Sequence, residues 1–227
     1  MSNLTQSIAE VEERISAACL RAGRKREEIR LIAVTKTVPV ERIQTALQEG
    51  LTYFGENYIQ EAQKKIEVLS QGTWHFIGHL QKNKARQAVK FFSMIETLDS
   101  PALAQELNRQ ALQAGKTIEA LIQVNEAGES SKSGLPPDRI PLLIKESKAW
   151  SALRLRGLMT IPPYDPDPEK SRPWYRSLFQ WRAEWQAQFP SVDLNHLSMG
   201  MSHDFEVAIE EGATIIRVGT ALFGPRG

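Results

Sequence analysis

Leu31-Ile32-Ala33-Val34-Thr35-Lys36-Thr37 is an apolar run that reads as a buried strand and ends on a lysine. An ammonium at the end of such a strand is costly unless it snorkels to water, meets a carboxylate or does chemistry. The residues on either side bear on which of the three holds at Lys36.

Upstream, Leu4, Ile8, Val11, Ile15 and Ala18 recur at helical spacing, which predicts an amphipathic helix over residues 3–22. Ala22-Gly23 and the basic run Arg24-Lys25-Arg26 close it. Downstream, strand and helix patterns alternate. Strand 30–36 precedes helix 40–49, stopped by Gly50; strand 53–56 precedes helix 58–69; strand 74–78 precedes helix 82–90. Strand 93–97 precedes helix 101–114, which Asp99-Ser100 cap and Pro101 opens. Strand 119–125 runs through loop 126–134 into helix 137–147. Strand 153–159 runs through the proline-rich loop 160–168 into helix 169–188. Strand 194–198 leads to helix 203–211, and strand 214–219 ends in a short turn at 220–223.

These are eight strand-then-helix units with short links. Such alternation implies parallel pairing through right-handed crossovers. The expected fold is α/β, one (β/α)8 barrel at the small end of its size range, preceded by an extra N-terminal helix. A doubly wound open sheet is the alternative, but it usually carries a glycine-rich turn after its first strand. Here that turn is Thr35-Lys36-Thr37-Val38-Pro39, without glycine. No linker marks a second domain, so residues 1–227 are read as one.

Composition narrows the functional classes. The 227 residues are 41% hydrophobic and 24% charged, with 28 basic against 27 acidic side chains and a net charge of +1. That balance disfavours nucleic acid as the main ligand. Cys19 is the only cysteine, which excludes an intrachain disulfide and suits a reducing compartment. Glu10, Glu12, Glu13 and Arg14 make the first residues unlike a signal peptide. No apolar run approaches the roughly 20 residues of a membrane span. A cytoplasmic protein without membrane contact is expected.

In a barrel, functional residues lie at the C-terminal ends of the strands. Those ends carry Lys36, Glu56-Asn57, Gly78-His79, Asn125, Met159-Thr160, Ser198-Met199-Gly200-Met201-Ser202 and Gly219-Thr220, with Arg217 two residues earlier on the last strand. The plain reading of Lys36 is a strand-end lysine paired with a carboxylate such as Glu56. The chemical reading is an amine whose pKa is lowered by partial burial or a neighbouring cation, so that it attacks a carbonyl and forms a Schiff base. Val34 below it and Arg217 on the adjacent eighth strand could supply both conditions. The loops after strands seven and eight, with Gly200, Ser202 as an N-cap, Gly219 and the turn at Thr220, match the recurrent phosphate site of barrels. Each glycine alone could be a plain turn residue. Arg217 reads either as an ion pair in the barrel wall or as a donor to a pyridine nitrogen, which it would hold unprotonated. His79 reads as a hydrogen-bonding histidine with no carboxylate placed to orient it, so no triad or metal cluster is expected. Asn57 either lines the cup or caps a helix. Loop 128–134 is a lid or an ordinary surface loop.

Several segments carry a resemblance to a known family: Ala33-Val34-Thr35-Lys36-Thr37, Phe54-Gly55-Glu56-Asn57-Tyr58, residues 74–84 around Gly78-His79, Ser131-Lys132-Ser133-Gly134, Arg156-Gly157-Leu158-Met159, Ser198-Met199-Gly200-Met201-Ser202 and Arg217-Val218-Gly219-Thr220. In these the chain resembles the YggS/PROSC family of pyridoxal 5′-phosphate-binding proteins. The resemblance implies a barrel like the N-terminal domain of alanine racemase and pyridoxal 5′-phosphate (PLP) held as a Schiff base on Lys36. It implies phosphate around Ser202, Gly219 and Thr220, and the ring near Asn57, His79, Met159, Ser198 and Arg217, with Val34, Met199 and Gly200 also in the expected cofactor-binding set. Thr35 departs from a common serine, and His203-Asp204 from two common acidic residues.

Two functional classes follow. One is a PLP enzyme, an amino-acid racemase or decarboxylase. The other is a PLP carrier in vitamin B6 homeostasis, with PLP-dependent apo-enzymes as recipients. Alanine racemase-like enzymes take a second acid/base from an additional C-terminal domain, whereas this sequence ends soon after the eighth strand. A non-enzyme, and a monomer, is therefore expected. A phosphosugar barrel enzyme would keep the phosphate loops but leave Lys36 unexplained.

Overall fold

The helical spacing at the N-terminus forms α1, Leu4–Arg21, whose buried face is Leu4, Ile8, Val11, Ile15, Ala18 and Cys19. Fully burying side chains such as Ile15 contributes about 1.5–3 kcal/mol each. The strand-helix series follows: β1 Arg30–Val34, α2 Val40–Gln48, β2 Tyr53–Glu56, α3 Ile59–Val68, β3 Thr73–Phe76, α4 Ala85–Phe91, β4 Met94–Leu98, α5 Pro101–Gln113 and β5 Ile118–Val124. It continues with α6 Ile140–Glu146, β6 Leu153–Thr160, α7 Arg172–Gln188, β7 His196–Met201, α8 Phe205–Glu210, β8 Ile215–Val218 and α9 Thr220–Phe223. This computed structural model describes residues 4–129 and 133–225. Ser130, Ser131 and Lys132 of the expected lid and family segment therefore lie outside the described residues, as do Met1–Asn3, Arg226 and Gly227.

All eight strands pair in parallel, and β1 closes the barrel against β8 with Ile32 opposite Arg217 and Ala33 opposite Val218. The period-two alternation of strands sorts the core into two parts. Ile32, Met94, Leu121, Met159 and Ile215 fill the barrel interior. Leu31, Ala33, Phe54, Trp74, Leu197 and Val218 face the helices and join the larger outer core. Helix α1 extends that core over α8, α9 and α2. Cys19 is buried there, and burial pushes its thiol up, so it is a poor nucleophile.

Several boundaries differ from the sequence reading. Strand β1 ends at Val34, so Lys36 stands in the turn beyond the strand. Strand β7 runs from His196 to Met201 rather than 194–198. The Leu194 N–H goes to Gln186 Oε1 on α7 at 2.9 Å instead of a ladder, and at the other end a register shift against β8 carries pairing on to Met201. The helices expected from 82, 137 and 169 begin as 3₁₀ turns at Lys82–Lys84, Pro137–Arg139 and Pro168–Ser171.

Candidate cofactor site

Lys36 is half-buried at the mouth of the barrel. The Thr35 N–H donates to Gly55 O at 3.0 Å, the last bond toward β2. The Val38 N–H then donates back to Thr35 O at 2.9 Å, which makes Lys36 and Thr37 the central pair of a tight turn. Thr37 has φ 64° and is the one described non-glycine residue with positive φ. A left-handed conformation costs a β-branched residue about 1–2 kcal/mol. Val34, Lys36, Thr37, Gly219 and Thr220 line one cavity of about 290 Å³ with Arg42 and Phe223. The carboxylate suggested as a structural partner, Glu56, is fully buried and accepts from Lys65 Nζ at 2.7 Å and Thr35 Oγ1 at 2.6 Å. Burial pushes its carboxyl up, with Lys65 and Thr35 opposing.

The loops after β7 and β8 meet at Ser202. Its Oγ accepts from the backbone N–H of Gly219 at 3.1 Å and of Ala221 at 3.3 Å. Ser202 therefore does not cap the helix that follows it. Helix α8 starts after Asp204, whose Oδ1 accepts the Met201 N–H at 2.8 Å and whose Oδ2 accepts from Ser171 and Tyr175. That buried carboxylate sets the shape of the loop, a role the family departure at this position gave no hint of. Gly200 has φ 90°, and a Cβ there would stand 2.5 Å from Ala208 Cβ, so a packing demand accounts for this glycine. Met199 was expected among the cofactor-binding residues. Its side chain packs in the outer core, because it alternates with the inward-facing Ser198.

Beneath the mouth lies a buried polar chain. Arg217 Nη1 donates to Ser198 Oγ at 2.5 Å and Nη2 donates to Thr160 O at 2.9 Å. Ser198 Oγ donates to Glu96 Oε2 at 2.5 Å, and His75 Nδ1 donates to Glu96 Oε1 at 2.6 Å. Burial alone would push the Glu96 carboxyl up. Hydrogen bonding and charge from His75, then Arg217 and Ser198, outweigh it and hold the group below the usual carboxylate range. Met159, fully buried in the interior core, stands opposite Ser198 in the β6–β7 register. Sequence reasoning missed Glu96 and His75. The available signal was a glutamate at an inward position of the largely apolar strand Met94–Leu98.

Asn57 and His79 share a second cavity, of about 230 Å³, with Gln123, Asn125 and Ser133. The Asn57 Oδ1 is buried without a hydrogen-bond partner. Gly78 permits this arrangement, since a Cβ there would fall 2.2 Å from Asn57 O. Contrary to expectation, His79 does have a carboxylate: Asp99 Oδ2 lies 3.2 Å from its Nδ1, with Ser133 Oγ 3.0 Å from the same nitrogen. Both partners meet one ring nitrogen, so this is not the relay of a catalytic triad, which uses the two nitrogens separately. Among the described residues no group of three or more His, Cys, Asp or Glu side chains could hold a metal ion. Glu126, another residue the sequence did not single out, buries both carboxylate oxygens, and its carboxyl is pushed up to about 7 by that burial, tempered by Thr160.

The comparisons agree with this fold. Residues 8–227 match the family model described as alanine racemase, N-terminal domain. The chain is 45% identical over 226 residues to the pyridoxal phosphate homeostasis protein of Aquifex aeolicus, covering 99% of both. It belongs to the pyridoxal phosphate homeostasis protein family. The Escherichia coli K12 relative of that name is 39% identical over 231 residues, with 100% of this chain and 98% of the relative covered. Among solved structures, PipY of Synechococcus elongatus with PLP bound is 35% identical at a TM-score of 0.86, covering 98% of this chain and 100% of that one. An alanine racemase of Clostridium difficile is 15% identical at a TM-score of 0.77, and the match covers 57% of it, which shows the shared barrel fold.

Proposed function

We propose that this protein binds pyridoxal 5′-phosphate through a Schiff base on Lys36 and serves vitamin B6 homeostasis inside the cell without efficient turnover. The observation that carries the reading is the single cavity into which Lys36, Val34, Gly219 and Thr220 all open. The residues fit the cofactor. Two backbone N–H groups, of Gly219 and Ala221, already converge on one oxygen, that of Ser202, as an anion cradle requires. The orphaned Asn57 Oδ1 and the Arg217 guanidinium add polar groups suited to a substituted pyridine. The Synechococcus elongatus relative solved with PLP lends the ligand its identity.

The lysine amine condenses with the aldehyde: a C=N bond replaces C=O, and the carbonyl oxygen leaves as water. PLP supplies an electron sink whose strength depends on a protonated ring nitrogen. Arg217 is a permanent donor, so at that nitrogen it keeps the ring neutral and the sink weak. Arg217 thus disfavours chemistry that needs a strong electron sink. A cytoplasmic monomer that delivers PLP to apo-enzymes is the setting we infer.

Purified protein given PLP should turn yellow, be trapped by borohydride at Lys36, and lose both properties in Lys36→Ala. A protein that stays colourless with added PLP would overturn the reading. Holo-protein incubated with single amino acids in deuterated water should show no α-hydrogen exchange at an enzyme-like rate, and exchange at such a rate would overturn the non-enzyme assignment.

A further inference from the structure

We propose that Glu61 and Lys65, one turn apart on α3, are positioning residues that clamp the backbone on both sides of Lys36 and so aim its amine into the cup. The inference rests on the Schiff-base reading of Lys36.

Lys65 is buried, and its Nζ donates to Thr35 O at 2.6 Å, to Glu56 Oε1 at 2.7 Å and to Glu61 Oε1 at 2.7 Å. An ammonium has three N–H donors, and all three are committed. The same Glu61 Oε1 accepts the Thr37 N–H at 2.6 Å. The residue before Lys36 is therefore held through its carbonyl and the residue after it through its amide, by two side chains that hold each other. Glu56 completes the frame by accepting from Thr35 Oγ1 at 2.6 Å.

The clamp answers a question the turn itself raises. With the Val38 N–H on Thr35 O, Lys36 and Thr37 occupy the two central positions of a type II-like turn, whose second position calls for glycine. Threonine stands there instead, with φ 64°. Backbone strain of this kind persists only where surrounding bonds over-determine it, and it gathers at functional sites. A glycine would relax the strain but leave the lysine's direction loose. Threonine with the Glu61 bond fixes it. Lys65 cannot itself compete for the aldehyde, because its amine is saturated and buried.

The test separates positioning from mere support. Wild type, Glu61→Ala, Glu61→Gln and Lys65→Met are compared as full-length protein. One readout is the rate of Schiff-base formation with PLP, followed by absorbance and by borohydride trapping at Lys36. The other is affinity for 4-deoxypyridoxine 5′-phosphate, which has the ring and phosphate but no aldehyde. Glu61→Ala should slow Schiff-base formation at least about tenfold with analogue affinity unchanged. Glu61→Gln should fall between, because its amide oxygen still accepts the Thr37 N–H but no longer pairs with the Lys65 charge. Wild-type rates in Glu61→Ala, or an analogue affinity that falls in step with the rate, would overturn the clamp. Should Lys65→Met fail to fold, the two Glu61 variants decide alone. Wild type that binds the analogue but is never trapped at Lys36 overturns the Schiff-base reading itself, an outcome distinct from failure of the clamp.

Discussion

Arg217 and Glu96 face each other across 4.0 Å of buried space, and the Ser198 hydroxyl bridges them with a hydrogen bond on each side. A lone buried charge is costly, so each ion stabilises the other only while the bridge and His75 complete the network.

Removing one partner should therefore cost more than any single contact suggests. Glu96→Ala leaves the Arg217 cation without its counter-ion and His75 and Ser198 without their acceptor, and is expected to destabilise the fold by about 3–5 kcal/mol. Ser198→Ala keeps both charges and should cost about 1–3 kcal/mol. Urea unfolding of the two variants checks the order. Equal midpoints for wild type and Glu96→Ala would refute it.

Glu126 gives stability a pH dependence of definite sign. Its carboxyl is raised to about 7 in the fold, well above the ordinary glutamate value of about 4.3 in the unfolded chain. Between those values the native state holds a proton the unfolded state has released, so this contribution is complete below the unfolded value and is lost as pH rises through 7. Glu126→Gln removes the titration. Its stability relative to wild type should rise between pH 5 and pH 8 by up to about 3 kcal/mol. Thermal melts of both proteins across that range check it, and a constant difference would count against a buried carboxyl.

Gly78→Ala tests the contact that seats Asn57. The new Cβ would meet the Asn57 carbonyl oxygen at 2.2 Å, and backbone cannot swing aside as a side chain does. A loss of about 3 kcal/mol is expected, with weaker PLP binding as Asn57 and His79 are displaced. Denaturation and PLP titration on the same sample read both effects.

The barrel was legible because its signals are local. Apolar runs such as Leu31–Val34 alternate with helical stripes in a fixed order, which implies parallel pairing, and the count of eight units with a glycine-free first turn pointed to closure. Lys36, Gly219 and Thr220 were legible because strand ends face one mouth. The supporting groups were not. Glu96 meets Ser198 across 102 positions of sequence, and Asp99 reaches His79 from the next strand end, so neither pairing has a local mark. A strand-end motif read as a string also takes no account of the alternation that turns the Ser198 side chain inward and the Met199 side chain outward. Thr37 hid its strain for the opposite reason, since a β-branched residue is not expected at positive φ.

Ser202→Ala tests whether phosphate recognition is separate from aldehyde chemistry. Its hydroxyl caps the Gly219 and Ala221 amides at the start of α9. Ser202→Ala removes that acceptor and, with phosphate bound, one donor to the anion. Without ligand the loss is that of a helix cap, about 1 kcal/mol of stability. With ligand, affinity for pyridoxal 5′-phosphate should fall about tenfold, the size of one charge-assisted hydrogen bond. Affinity for pyridoxal, which carries the same aldehyde without the phosphate, should not change. Titrating both aldehydes into both proteins isolates the effect. A parallel fall for pyridoxal and its phosphate would mean that Ser202 shapes the cup as a whole and does not hold the anion.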